Sequence, residues 1–303
     1  MASTQEFRRR IKSVNNTKQI TKAMQMIASI KMQKSVKAAQ TARAYIQNAW
    51  NMLSRLAKLT LPENHPLIAD RPIKKMAIIL VSSDRGLCGS YNSEVLKKFL
   101  QFEKEMCACN DETCRAYQGG CDVITIGKKG AEFVKRYKVG RLIAEFPGFE
   151  SKISVDDIIP ISKLTNEEFL KGNYDRVVVI YSHFVSSLKQ VPVVKQLLPI
   201  VDDHIDHGEV WEKTDENEVE FKFEPTADEV MDGILRQVLR TQIYGSILEA
   251  NASMYSAQMV AMQSATDNAE DLVSELKLLY NSVRQDNITR EIAEISGAAE
   301  AMK

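Results

Sequence analysis

Residues 1–61 hold neither proline nor glycine, and residues 226–303 hold no proline and only Gly233, Gly245 and Gly297. Nothing in either stretch forces the backbone out of a helix. Apolar residues recur there at alternating steps of three and four: Ala39, Ala42, Ile46, Ala49, Leu53 and Leu56 near one end, Leu272, Leu276, Leu279 and Val283 near the other. That spacing predicts a coiled-coil seam. Between the two stretches lie short β-rich runs punctuated by Gly and Pro. The chain therefore reads as three parts: an N-terminal stalk helix over 1–61, a central α/β domain over 73–224 and a C-terminal stalk helix over 226–303, with the two helices pairing antiparallel.

The two helices are unequal. Rooted at the central domain, the first spans about 80 Å and the second about 110 Å at 1.5 Å per residue, so the C-terminal helix overshoots by about 30 Å. Ile288, Ile292 and Ile295 keep helical spacing along the overshoot, where no helix of the same chain remains to cover them. A lone helix of that length is marginal in water, and an exposed apolar stripe calls for a partner that surrounds it.

Charge sharpens this picture. The 40 basic and 40 acidic residues balance, which argues against general attraction to nucleic acid or to a membrane surface. The first 44 residues, however, carry Arg8, Arg9, Arg10, Lys12, Lys18, Lys22, Lys31, Lys34, Lys37 and Arg43 against Glu6 alone. The last 37 carry Asp267, Glu270, Asp271, Glu275, Asp286, Glu291, Glu294 and Glu300 against Lys277, Arg284, Arg290 and Lys303. Antiparallel pairing sets a basic helix beside an acidic one and leaves a basic face for an acidic partner; solvated faces without a partner are the plainer alternative.

No apolar run approaches the length of a membrane span. The opening MASTQEFRRRI lacks the apolar core of a secretory signal, and its Arg-rich character resembles a mitochondrial transit peptide only faintly. The heptads begin at once, which favours a functional end. A reducing compartment is expected, with the cysteines below as the one reservation.

In the middle, Lys75–Val81 is a continuous apolar run followed by SSDRGLCGSYN, a helical pattern over Ser93–Met106, a strand at Asp122–Ile126 and a helix over Lys129–Tyr137. Strand and helix alternating in this way predict a parallel, Rossmann-like sheet. A helical stretch around Asn166–Lys171, a strand at Arg176–Tyr181 and an edge or irregular strand over Val191–Ile200 with two prolines follow. Residues 202–224 are polar and acidic and read as a loop or hairpin.

The loop Ser82–Gly89 stands where such a fold would cradle a phosphate, and Gly86 and Gly89 would let backbone N–H groups approach an anion. Neither G-x-G-x-x-G nor G-x-x-x-x-G-K-[ST] is present, so a turn or a protein contact is the competing reading. Cys107, Cys109, Cys114 and Cys121 fall in one stretch without a C-x-x-C pair; ordinary thiols, a redox-sensitive disulfide and a metal site all remain open. Cys88 stands apart as a packed loop thiol. His204 and His207 with Asp202, Asp203 and Asp206 suit an acidic loop better than a metal site. The methionines Met24, Met26, Met32, Met254, Met259 and Met262 fill a core or form an adaptable contact surface. No nucleophile–base set and no carboxylate pair stands out, so nothing marks an active site.

Five stretches now fall into place together: RRRIKSVNNTKQITKAMQMIASIKM at 8–32, VSSDRGLCGSYN at 81–92, QVPVVKQLLP at 190–199, MVAMQSATDNA at 259–269 and NSVRQDNITREIAEISGAAEA at 281–301. In that order the chain resembles the gamma-subunit family of F-type ATP synthases along nearly its whole length. The resemblance implies a central rotor shaft inside three alpha and three beta subunits, with the central domain beside the epsilon subunit and seated on the c-ring. It implies no cofactor and no chemistry of its own. Lys22, Met24 and Cys88 match positions that face the beta subunits, Arg284 and Gln285 match a pair hydrogen-bonded to a beta-subunit loop, and Ile288, Ile292 and Ile295 would lie in the bearing. The implied location is the cytoplasmic face of a bacterial inner membrane, or the matrix side of the mitochondrial one.

The chain departs from the family at three places. One residue fewer separates Glu294 from Gly297, which turns Gly297 onward by about 100° around the helix. Gln258 stands where relatives often carry arginine. The cysteine stretch does not coincide with the regulatory insertion of chloroplast relatives. Two other function classes compete: a static coiled-coil adaptor, which leaves the bare tip unexplained, and a nucleotide-dependent α/β enzyme, which lacks its phosphate fingerprint.

Overall fold

The computed structural model describes residues 4–57, 65–69, 71–108, 121–149, 153–200 and 226–302. In chain order the elements are α1 (Thr4–Ala57), β1 (Met76–Val81), α2 (Tyr91–Ala108), β2 (Asp122–Ile126), α3 (Lys128–Tyr137), β3 (Arg141–Phe146), α4 (Val155–Leu170), β4 (Arg176–Phe184), β5 (Gln190–Leu198) and α5 (Ala227–Ala301). They form two compact units, one of residues 31–257 and one of residues 1–30 with 258–303.

The larger unit is built on a five-stranded sheet of order β3-β2-β1-β4-β5. The first four strands are parallel, as their alternation with helices requires, and β5 closes one edge antiparallel after a hairpin turn. The sheet is therefore mixed, not wholly parallel. Every residue of β1 is buried, because helices cover both faces of the sheet and successive side chains enter opposite layers. Ala77, Ile79 and Val81 join Val177 and Val179 beneath Ile158, Ile161 and Phe169 of α4 and Leu235, Leu239, Ile243 and Ile247 of α5. Met76, Ile78 and Leu80 face the other way, toward Val95 and Phe99 of α2 and Val134 of α3.

Some elements differ from the sequence expectation. Strand β3 lies where no strand was expected; its side chains are alternately exposed and half-buried, as befits an edge, and Arg141 and Glu145 break up its apolar pattern. Helix α4 starts well before Asn166. Ser154 caps it, accepting from Asp156 N while the Asp157 carboxylate accepts from Ser154 N, and Pro160 sits inside it. The acidic stretch 202–224 lies outside the described residues.

Arg43 of α1, Tyr181 and His183 of β4, and Glu249 of α5 converge on one carboxylate. Glu249 accepts from Arg43 Nη2 at 2.9 Å and from the Tyr181 hydroxyl at 3.1 Å, and His183 Nδ1 lies 2.7 Å away. Burial by itself would raise the Glu249 pKa, yet the hydrogen bonds and charges of His183 and Arg43 bring it down to about 2.

Two outcomes follow from this architecture. Gly127 has φ +95°, and a Cβ there would stand 2.2 Å from the Ser82 carbonyl oxygen. Gly127→Ala should therefore destabilise the full chain by at least about 2 kcal/mol, read as a lower urea midpoint at unchanged slope. The second concerns acid. Because Glu249 titrates near 2 in the fold against an ordinary 4.5, its contribution is complete above about pH 4.5 and is lost as pH falls toward 2. Glu249→Gln should remove on the order of 3 kcal/mol at neutral pH and flatten the acid limb of a stability–pH curve between those two values.

Candidate functional site

The smaller unit is a helix pair. On α1 the least exposed positions are Phe7, Ile11, Val14, Lys18, Thr21, Gln25 and Ala28; on α5 they are Met262, Thr266, Ala269, Val273, Leu276, Tyr280 and Val283. Both series step by four and three, the heptad spacing that keeps a seam facing its partner. The helices run antiparallel: Lys18 Nζ meets Glu270 at 2.9 Å, the Thr21 and Thr266 hydroxyls lie 2.8 Å apart, and Gln25 bonds Gln263. Farther along, Arg8 Nε donates to the Tyr280 hydroxyl at 2.9 Å with its guanidinium 5.5 Å from the ring centre.

The seam corrects the sequence reading in its phase. Leu276 and Val283 belong to it, but Leu272 and Leu279 are 43% and 46% exposed, and Val273 and Tyr280 take their places. Two interleaved heptad series share this stretch, and what sits opposite decides between them; Arg8 holds Tyr280 on the inner one. On α1, Ala39 is half-buried and Ala42 buried, while the side chains of Ile46, Ala49, Leu53 and Leu56 lie outside the described residues.

Two surfaces of this unit stay uncovered. Ile20, Met26, Ile27 and Ile30 of α1 are exposed large apolar side chains beside Lys22, and a groove of about 670 Å³ runs between Lys18, Lys22, Met26, Ile30, Met259 and Glu270. Met24, one turn from this groove, is half-buried. The other surface is the end of α5. By the count that sets Arg8 against Tyr280, Thr4 reaches about Arg284, so α5 continues for some 17 residues, about 25 Å, with nothing of α1 beside it. Arg284 and Gln285 are exposed at its start, and Ile288, Ile292 and Ile295 follow at 48%, 59% and 70% exposure. The helix runs unbroken through Gly297.

In the larger unit the loop after β1 presents Arg85, Gly86 and Leu87 to solvent, with Leu87 at φ 65°. Cys88 turns inward, accepting from Asn92 Nδ2 at 3.2 Å, and packs near Tyr91 and Phe99. Cys121 is buried at the foot of β2; the side chain of Cys107 and all of Cys109, Cys114, His204 and His207 lie outside the described residues. Among the described residues no group of three His, Cys, Asp or Glu side chains is placed to hold a metal ion.

Residues of the loop after β1 cap the neighbouring helix α3. Lys128 N donates to Asp84 Oδ1 at 3.0 Å, Lys129 N to the Ser83 carbonyl at 3.0 Å, and Gly130 N to Ser82 Oγ at 2.8 Å. Gly148 N also donates to the Asp84 carboxylate, at 3.0 Å. Sequence reasoning singled out the glycines of this loop and passed over Asp84, whose partners lie 44 and 64 residues away. The only sequence signal was a run of Ser, Ser and Asp, residue types that cap helix N-termini.

No helix among the described residues is long and apolar enough to cross a membrane. The family model described as ATP synthase matches residues 3–302. The ATP synthase gamma chain of Nitrosomonas eutropha is 36% identical over 303 residues, and that of Legionella pneumophila strain Corby 33% over 302, each alignment covering all of both chains. Among solved structures, a chain of the Euglena gracilis mitochondrial ATP synthase, OSCP/F1/c-ring, aligns with a TM-score of 0.65 at 16% identity, covering 99% of this chain and 94% of that one. A chain of the Tetrahymena thermophila mitochondrial ATP synthase central stalk/c-ring aligns with a TM-score of 0.57 at 20% identity, covering 81% and 99%. The mixed sheet, the antiparallel helix pair and these full-length matches agree, and the chain belongs to the ATP synthase gamma-chain family.

Proposed function

We propose that the chain is the central rotor shaft of an F-type ATP synthase, coupling proton-driven rotation of a c-ring to conformational change at catalytic beta subunits while catalysing nothing itself. The observation that carries this reading is the bare end of α5, an exposed apolar stripe that outruns its helical partner. Such a stripe is a liability in water and an asset inside a close-fitting sleeve. Three alpha and three beta subunits would supply the sleeve, with Ile288, Ile292 and Ile295 turning in it as the bearing. The epsilon subunit and the c-ring would take the larger unit. The location we propose is the cytoplasmic face of a bacterial inner membrane, in keeping with the bacterial relatives.

Within that assembly Lys22 and the exposed apolar residues around it form a contact face for acidic levers of the beta subunits, with Met24 behind them. Cys88 sits inside the loop that would face beta, so Arg85 and Leu87 would make the contact and the thiol would shape the loop. Arg284 and Gln285, at the start of the uncovered segment, would hydrogen-bond a beta-subunit loop. Three chemically equal sites around one asymmetric shaft each meet a different face of it, and rotation shifts the population of conformations at each in turn. The missing phosphate fingerprint argues against the nucleotide-enzyme alternative.

Two outcomes test this. The purified chain, free of alpha and beta subunits, should show no ATP hydrolysis above buffer; sustained turnover would overturn the reading. In the assembled complex, Arg284→Ala with Gln285→Ala should leave assembly intact, because the seam at Val273, Leu276 and Tyr280 is untouched. A charge-assisted hydrogen bond contributes roughly 1.5 to 3 kcal/mol, so turnover should fall and single-molecule rotation should dwell longer at one repeated angle per third of a turn. An unchanged dwell pattern would remove the pair from the contact while leaving the shaft reading standing.

A further inference from the structure

The carboxylate of Glu249 joins three elements that are far apart in sequence: α1 through Arg43, β4 through Tyr181 and His183, and α5 through its own backbone. Its side chain is only 15% exposed. A carboxylate that well buried keeps its charge only when it is paired. Its two cationic partners are not equivalent. Arg43 is permanently charged and mostly in solvent, whereas His183 is about seven-tenths buried and carries the one side chain whose ordinary titration falls between pH 5 and 8. A carboxylate at hydrogen-bond distance favours the protonated imidazole.

We propose that His183 is a proton-operated clamp that fixes α5, and with it α1, to strand β4. Protonated, its Nδ1–H makes a hydrogen bond to Glu249 Oε2 that is also an ion pair; once the ring is neutral, the bond keeps its ionised acceptor but loses the ion-pair attraction, and the grip on both helices loosens. The direction follows from which form is held: the clamp is complete below the titration of His183 and weakens as pH rises through it. The groups facing the ring are Glu249 of α5, Arg43 of α1 and Tyr181 of its own strand. Farther along the same sheet face lies Lys195 of β5, which pairs with Val179 as Val191 pairs with His183. Tyr181 and Arg43 hold the carboxylate in both states, so the clamp relaxes without letting go. The clamp itself is a property of the larger unit; only its consequence, a pH-dependent stiffness where both long helices meet the sheet, rests on the rotor reading.

Hydrogen–deuterium exchange of the full chain, corrected for the chemical exchange rate at each pH, tests it on the peptides containing Arg43, His183 and Glu249. Between about pH 6 and about pH 8.5, which bracket the titration range of histidine, wild-type protection there should fall roughly five-fold, the loss of one ion pair's attraction with the hydrogen bond kept. His183→Lys should hold the low-pH protection at both values. His183→Gln should show the high-pH level at both. Wild-type protection that does not change with pH, or a pH response that survives in His183→Gln, would overturn the clamp. Neither result bears on whether the chain is a rotor shaft, which the Arg284 and Gln285 substitutions address separately.

Discussion

The apolar side of α5 has to be covered by something at every turn, and what covers it changes along the helix. Leu235, Leu239, Ile243 and Ile247 are buried in the sheet's own core. Met262, Thr266, Ala269, Val273 and Leu276 form a heptad seam that faces α1. Beyond Val283 none of the described residues covers it, and Ile288, Ile292 and Ile295 are exposed. A helix on its own gains too little from its backbone to keep an exposed stripe for nothing. The last segment is therefore the part of the molecule whose form makes sense only with other chains around it.

The α/β unit makes a complementary point. Its topology is that of folds that bind nucleotides outside the carboxyl ends of parallel strands. Here Asp84, Ser82 and Ser83, from the loop after β1, occupy the donors of α3. Gly127 and Gly148 let the backbone come close enough for this: a Cβ on either would run into Ser82 or Asp84. Such a sheet does not by itself imply a ligand, because function is carried by sites and not by folds.

How much was legible in the sequence depended on how local the cause was. The long helices, strands β1, β2 and β4 and the uncovered tip all follow from periodicity and from where proline and glycine are missing, and these are properties of neighbouring residues. Strand β3 was not legible, because a short edge strand with Arg141 and Glu145 in it is a strand mainly by virtue of pairing with β2. The phase of the seam was not legible either: Leu272 and Leu279 fit a heptad as well as Val273 and Tyr280 do. Cys88 was read as a packed loop thiol and is buried; only its partners, Asn92 and the α2 layer, had to come from the structure.

Read by itself, the chain determined that two unequal helices would pair antiparallel around an α/β domain and that one would outrun the other, since length, heptad spacing and charge are written along the chain. Only the tertiary structure decided which leucines face water, which carboxylate caps α3, and that Arg43, His183 and Glu249 meet. Arg43 and Glu249 are 206 residues apart, and His183 and Glu249 are 66 apart. Contacts of that range arise from how strands register and helices dock, and no window of local pattern contains them.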